Sequence, residues 1–106
     1  MRILFDQGTP VPLRRYLALH IVVTASERGW DRLQNGELLR SAEAEFDAFV
    51  TTDQRIQYQQ NLSGRKLAIL VLPTTNWPRI RLHVNIVVDA VNALNPRDFR
   101  VIQLPP

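Results

Sequence analysis

The chain has 106 residues, 45% apolar and 22% charged, the range of a single globular domain with its own core. It has no cysteine and two histidines, which excludes a disulfide framework, a thiolate zinc or iron–sulfur site, a cysteine nucleophile and a histidine-rich metal centre. The formal net charge of +3 divides unevenly. Residues 1–53 carry six Arg and eight acids, net −2, whereas residues 54–106 carry six Arg, Lys66, Asp89 and Asp98, net +5. Acids that hold cations beside arginines that hold phosphates suit a protein that handles a polyanion, and the same balance equally serves plain solubility.

The longest apolar run, Leu67 to Leu72, is six residues against the roughly 20 that span a bilayer, and Arg2 is followed by no apolar signal segment. The expectation is a soluble, cytoplasmic protein with no membrane contact, one domain over residues 1–106, without repeats or linkers.

Arg2 to Asp6 reads as a strand leaving into a turn at Gly8-Thr9-Pro10. Thr9 is placed to cap, with Pro10 in the first position, a short helix running to about Leu17. His20 to Thr24 is a second, β-branched strand, and the polar stretch to Leu33, with Gly29 and Trp30, is a loop. Asn35 can cap a helix over Gly36 to Glu45 that gathers Leu38, Leu39, Ala42 and Phe46 on one face. Asp47 to Thr52 is a third strand ending at Asp53, and Gln54 to Asn61 a short helix or long turn. Leu67 to Leu72 has the continuous apolar character of a strand buried on both faces. After Pro73, Asn76 and Pro78, the residues Ile80, Val84, Val87, Val91 and Leu94 recur at steps of four and three, which predicts one helix of about 17 residues. Asn95 and Pro96 stop it, and Phe99 to Leu104 is a last strand.

Strands alternating with helices predict an α/β fold, a three-layer α/β/α sandwich around a mainly parallel sheet of about five strands. Ligands of such sheets gather beyond the carboxyl ends of the strands, near a switch in strand order. Asp6 ends the first strand and Asp53 follows the third, so both belong at one edge although 47 residues separate them. Glu37, in the first turn of the helix preceding the third strand, belongs near the same edge. Carboxylates gathered there repel one another unless a cation neutralises them, and Mg²⁺ or Mn²⁺ suits a few acids at a cleft mouth. Each acid has a structural role open to it as well: Asp6 in the turn, Asp53 as a helix cap, Glu37 against the helix dipole.

Ile-Leu-Phe-Asp6-Gln7 with Thr9-Pro10, Gly29-Trp30, Asn35-Gly-Glu37-Leu-Leu39, Phe46-Asp47, Val50-Thr-Thr-Asp53-Gln54 and Tyr58-Gln-Gln-Asn61-Leu62 together resemble the small prokaryotic PIN-like proteins over nearly the whole chain. The resemblance implies a PIN-like fold and a Mg²⁺- or Mn²⁺-dependent ribonuclease acting on RNA, with an antitoxin protein as partner if it is the toxin of a toxin–antitoxin pair; a homodimer is also open. By the same resemblance Asp6, Glu37 and Asp53 match the metal-binding acids of PIN nucleases. The chain departs from that pattern where a fourth acid is common: Gln54 to Gly64 has no carboxylate, and Asn61 or Gln57 stands as the oxygen-bearing substitute.

In the hydrolytic reading Asp6 and Asp53 hold the cation, Glu37 is a ligand or general base, and the Thr52 hydroxyl orients Asp53. Arg14, Arg55, Arg65, Lys66, Arg79 and Arg81 are phosphate contacts, and Tyr58 or Trp77 offers a ring for an unpaired base. Trp77 and Trp30 are favoured as packing anchors, and His20 and His83 as polar or solvated side chains. Two other readings compete. A catalytically inactive PIN-like module that binds RNA or protein agrees with the missing fourth acid. A receiver-like signalling domain shares Asp6, Asp53 and Thr74-Thr75, but lacks the adjacent acids after the first strand and a lysine in Phe99 to Leu104.

Overall fold

The computed structural model describes residues 1–59, 62 and 64–106. Its strands are β1 (Arg2–Phe5), β2 (Ile21–Thr24), β3 (Ala48–Thr51), β4 (Ala68–Val71) and β5 (Phe99–Val101). They form one all-parallel sheet in the order β2-β1-β3-β4-β5. A 3-10 helix, Val11–Tyr16, joins β1 to β2; α1 (Asn35–Glu45) joins β2 to β3 and α2 (Ile56–Gln59) joins β3 to β4. Two helices, α3 (Trp77–Leu82) and α4 (Val84–Asn92), precede β5. The expected α/β architecture is therefore present, with every strand pair parallel.

The pleat explains why the strands read as unbroken apolar runs. Ile3, Phe5, Ala48, Val50, Ala68 and Leu70 enter one core with Leu13, Ile80, Val87 and Val91. Leu4, Phe49, Ile69 and Val71 enter a second core on the other face with Leu38, Leu39, Ala42 and Ile56. Alternate residues of each strand are buried on opposite faces, so the central strands are apolar except at Arg2, which opens β1, and Thr51, which closes β3.

Three crossings share one hand: the 3-10 helix carries the chain outward from β1 over the first face, and α1 and α2 carry it back across over the second. Between β4 and β5 the chain keeps the same direction of travel but returns to the first face, giving this crossing the opposite hand, which is rare in parallel sheets. The reason is coverage. The 3-10 helix buries only Leu13, so Phe5, Val50 and Leu70 stay open to water unless Ile80, Val87 and Val91 close over them.

Four local expectations are corrected. The long C-terminal helix is two, broken at His83, whose φ of −124° and ψ of 32° leave the helical region. The N–H of His83 bonds Ile80 O, and the N–H of Ile86 bonds His83 O, so three-residue steps replace the four-residue ladder. The β-branched run around Val84, Ile86, Val87 and Val88 gives the ladder little intrinsic support there. Asn35 is the first residue of α1 rather than its cap; Gln34 holds the cap position without a side-chain bond. The helix after β1 is a 3-10 helix capped at Pro10, because the Thr9 hydroxyl is used elsewhere: it donates to Val50 O at 2.9 Å. The last strand ends at Val101, although Ile102 and Leu104 remain buried. Among the described residues no helix is long and apolar enough to cross a membrane.

Candidate functional site

The strand order fixes where a site can form. The chain leaves β1 for β2 on one side and returns to β3 on the other, so the switch point lies between β1 and β3 at their carboxyl ends. Phe5 pairs with Val50, and the Asp6 N–H extends that pairing by donating to Val50 O at 2.9 Å. Asp6 therefore continues the pleat of Leu4, toward the face that α1 covers. By the same alternation Thr51 shares the side of Phe49, and residue 53 is the next on that side.

The side chains bear this out. The Thr51 hydroxyl donates to Asp6 Oδ2 at 2.8 Å and accepts the Asp53 N–H at 3.1 Å. Asp6 Oδ1 accepts the Gln7 N–H at 2.7 Å. Asp53 Oδ2 accepts from the Asn35 amide at 2.9 Å, and Asp53 Oδ1 from the Arg55 N–H at 3.0 Å. Four residues at the carboxyl ends of β1 and β3 and the start of α1 thus form one hydrogen-bonded chain, Asp6, Thr51, Asp53, Asn35. Both aspartates are half-buried and neither has an ion-pair partner among the described residues. Each carboxylate oxygen keeps lone-pair capacity beyond its single donor.

The loops at this edge are close-set. A Cβ built on Gly8 would lie 2.7 Å from Thr52 Oγ1 and 3.8 Å from Thr75 Cγ2, so the turn after β1 needs glycine to lie against the ends of β3 and β4. Gln54 ties those ends together, its amide donating to Thr52 O and to Leu72 O.

The expected site residues separate accordingly. Asp6 and Asp53 are joined through Thr51. The hydroxyl assigned to Thr52 is supplied by Thr51 instead; Thr52 has the opposite pleat parity and lies beside Gly8. Glu37 is exposed in the first turn of α1, two residues beyond Asn35, and makes no hydrogen bond or ion pair among the described residues. Among the described residues no group of three or more His, Cys, Asp or Glu side chains is close enough to hold a metal ion. Asn61 lies outside the described residues.

The basic residues fall in three places. Arg55 and the 79%-exposed Tyr58 follow Asp53 at the carboxyl edge. Arg65 and Lys66 precede β4 at the opposite edge, where Arg65 pairs with Glu43 at 3.4 Å and the Lys66 N–H bonds the same carboxylate at 2.7 Å. Arg79 and Arg81 lie on α3, near the 3-10 helix of Arg14, which pairs with Glu27 at 2.7 Å. Trp30 meets Phe46 edge-on at 6.2 Å with Arg28 over its ring, as a packing anchor does. His20 is held between the N-terminal amine and Asn92 Oδ1.

No family model matches this chain, and no curated protein or solved structure matches it either.

Sequence reasoning missed Thr51 and the role of Asn35. Strand parity was the signal for the first: counting by two from Phe49 selects Thr51 over its neighbour. The second had no local signal, because an Asn before Gly at a helix start reads as a cap whatever its side chain reaches.

Proposed function

We propose that the chain is a phosphodiester hydrolase acting on RNA with Mg²⁺ or Mn²⁺ held at its carboxyl edge by Asp6 and Asp53. The observation that carries this reading is the pair of aspartates coupled through the buried Thr51 at the switch point, without a basic partner among the described residues. Mg²⁺ commonly takes one or two carboxylates and completes its shell with water and a phosphate oxygen, so two aspartates fit the ion and a closed protein cage is not required. The resemblance of the Asp6, Glu37 and Asp53 blocks to PIN-like nucleases supports the same chemistry.

A cation held by Asp6 and Asp53 would lower the pKa of a nearby water and offset charge on the phosphorus oxygens. The protein supplies orientation. Thr51 and the Gln7 N–H fix both oxygens of Asp6, while Asn35 and the Arg55 N–H fix those of Asp53. Glu37, on the same turn of α1 as Asn35, is proposed to accept the proton of the attacking water, and Arg55 to meet a substrate phosphate. Purified protein with Mn²⁺ should cleave RNA, lose that activity in EDTA, and lose it in Asp6→Asn and Asp53→Asn variants that keep their far-UV circular dichroism. Equal cleavage by wild type and both variants would refute the assignment.

A second reading is an inactive RNA-binding module of the same fold. Its support is that no three-acid group lies together among the described residues and that Gln54 to Gly64 has no carboxylate. RNA binding in EDTA without cleavage in Mn²⁺ would favour it.

A further inference from the structure

The 3-10 helix and α3 lie side by side on the first face of the sheet. Their sequences, Val-Pro-Leu-Arg-Arg-Tyr16 and Trp77-Pro-Arg-Ile-Arg-Leu82, hold four arginines and no acid. Arg14 is committed to Glu27, whereas Arg15 and Arg81 have no ion-pair partner among the described residues. Between the two elements is a cleft of about 240 Å³ lined by Pro12, Arg15, Tyr16, Trp77 and Arg81. Two guanidinium groups and two aromatic rings thus share one small concavity whose lining has no carboxylate among the described residues.

That combination has a specific chemical complement. Two like charges in a concavity repel, and an anion with several acceptor oxygens relieves the repulsion; a phosphate matches the planar donor fork of arginine. The rings add a second requirement. Tyr16 and Trp77 have centroids 5.8 Å apart and planes tilted by 50°, so they touch and leave no slot between them. Trp77 is half-buried against the core and supports Tyr16, which keeps 42% of its surface exposed. The open surface of Tyr16 is therefore the place left for a flat apolar partner. Pockets that enclose whole small molecules run from roughly 300 Å³ upward, so this cleft suits one unit of a longer ligand whose remainder stays outside.

We propose that the cleft binds single-stranded nucleic acid, with one phosphate on Arg15 and Arg81 and one base stacked on Tyr16. Single strands are favoured over duplexes because their bases are free to stack on a protein ring. The site needs neither a metal ion nor the carboxyl-edge aspartates, so it stands or falls separately from the hydrolase reading. It is nonetheless connected to that edge: the 3-10 helix begins five residues after Asp6, and Thr75, two residues before α3, lies against Gly8.

The test is fluorescence anisotropy of a labelled ten-nucleotide oligouridine in EDTA, with the duplex of the same length as comparison. Wild type should bind the single strand more tightly than the duplex. Arg15→Ala with Arg81→Ala should weaken binding about tenfold and make the salt dependence shallower by about 0.7 in log–log slope. Tyr16→Ala should weaken it about 5- to 150-fold and Tyr16→Phe hardly at all. Arg32→Ala with Arg40→Ala, which removes the same two charges from exposed positions before and on α1, on the other face, should leave affinity unchanged. No binding by wild type at low salt, equal binding of duplex, or equal losses in the Arg32/Arg40 and cleft double variants would overturn the proposal.

Discussion

The Thr51 hydroxyl and Asp6 Oδ2 lie 2.8 Å apart across 45 residues of sequence, and Thr51 is fully buried. The bond joins the ends of β1 and β3 at the place where strand order reverses, and the same hydroxyl receives the Asp53 N–H. Thr51→Val keeps the shape and removes both bonds, leaving an N–H and a carboxylate oxygen short of partners. The expected loss is about 1–3 kcal/mol in urea denaturation, with impaired RNA cleavage. Thr51→Ser keeps the hydroxyl and should lose only about 1 kcal/mol, for the buried methyl, while retaining activity. Equal behaviour of the two variants would mean that the hydroxyl does not organise the edge.

Gly8 and Thr52 should be energetically coupled. The Cβ of Gly8→Ala would lie 2.7 Å from Thr52 Oγ1, closer than side chains tolerate, so the substitution should destabilise the chain by about 1 kcal/mol or more. In a Thr52→Ala background the obstructing oxygen is gone and the cost of Gly8→Ala should fall. A double-mutant cycle on unfolding free energies should give a coupling of about 0.5–3 kcal/mol; strict additivity would show that the turn moves freely.

Much of this edge is legible in the sequence because strand physics is local and regular. Ile3 to Phe5 and Ala68 to Val71 are apolar at every position, which identifies parallel strands covered on both faces. Parallel alignment then sends Asp6 and Asp53 to one edge without any knowledge of tertiary contacts. The break at His83 was hidden for the same reason that the helix was visible. Ile80 lies before the break and Val87 and Val91 after it, yet all three face one core, so the apolar spacing continues across a discontinuity in the backbone. The cleft arginines were only half visible. Arg15 and Arg81 meet through the packing of two elements more than 60 residues apart in sequence, and nothing next to Arg15 distinguishes it from Arg14.

Acid should release one identifiable constraint. The Thr24 N–H, 2.9 Å from Glu27 Oε1, holds the Glu27 carboxyl below the ordinary glutamate value, with Arg14 at 2.7 Å as the next cause. A carboxyl depressed by folding contributes stability that is complete above its unfolded value and is lost as pH falls through the folded one. Glu27→Gln should therefore lower stability at neutral pH, and its difference from wild type should shrink as the solution is acidified below the glutamate range. Half of the side chain is exposed, so the effect should be small and weaken with salt. Carboxyl carbon shifts from NMR titration give the direction directly; a Glu27 value at or above that of an unfolded peptide would contradict it.

The proposal that Asp6 and Asp53 share one cation is tested most directly by titrating the protein with Mn²⁺ and following free ion by electron paramagnetic resonance. The account predicts one bound ion per chain in wild type, strongly weakened binding in Asp6→Asn and in Asp53→Asn, and no change in Asp31→Asn, whose exposed acid lies in the loop before α1. Binding that survives both edge substitutions, or wild type that leaves Mn²⁺ free at millimolar concentration, would contradict it.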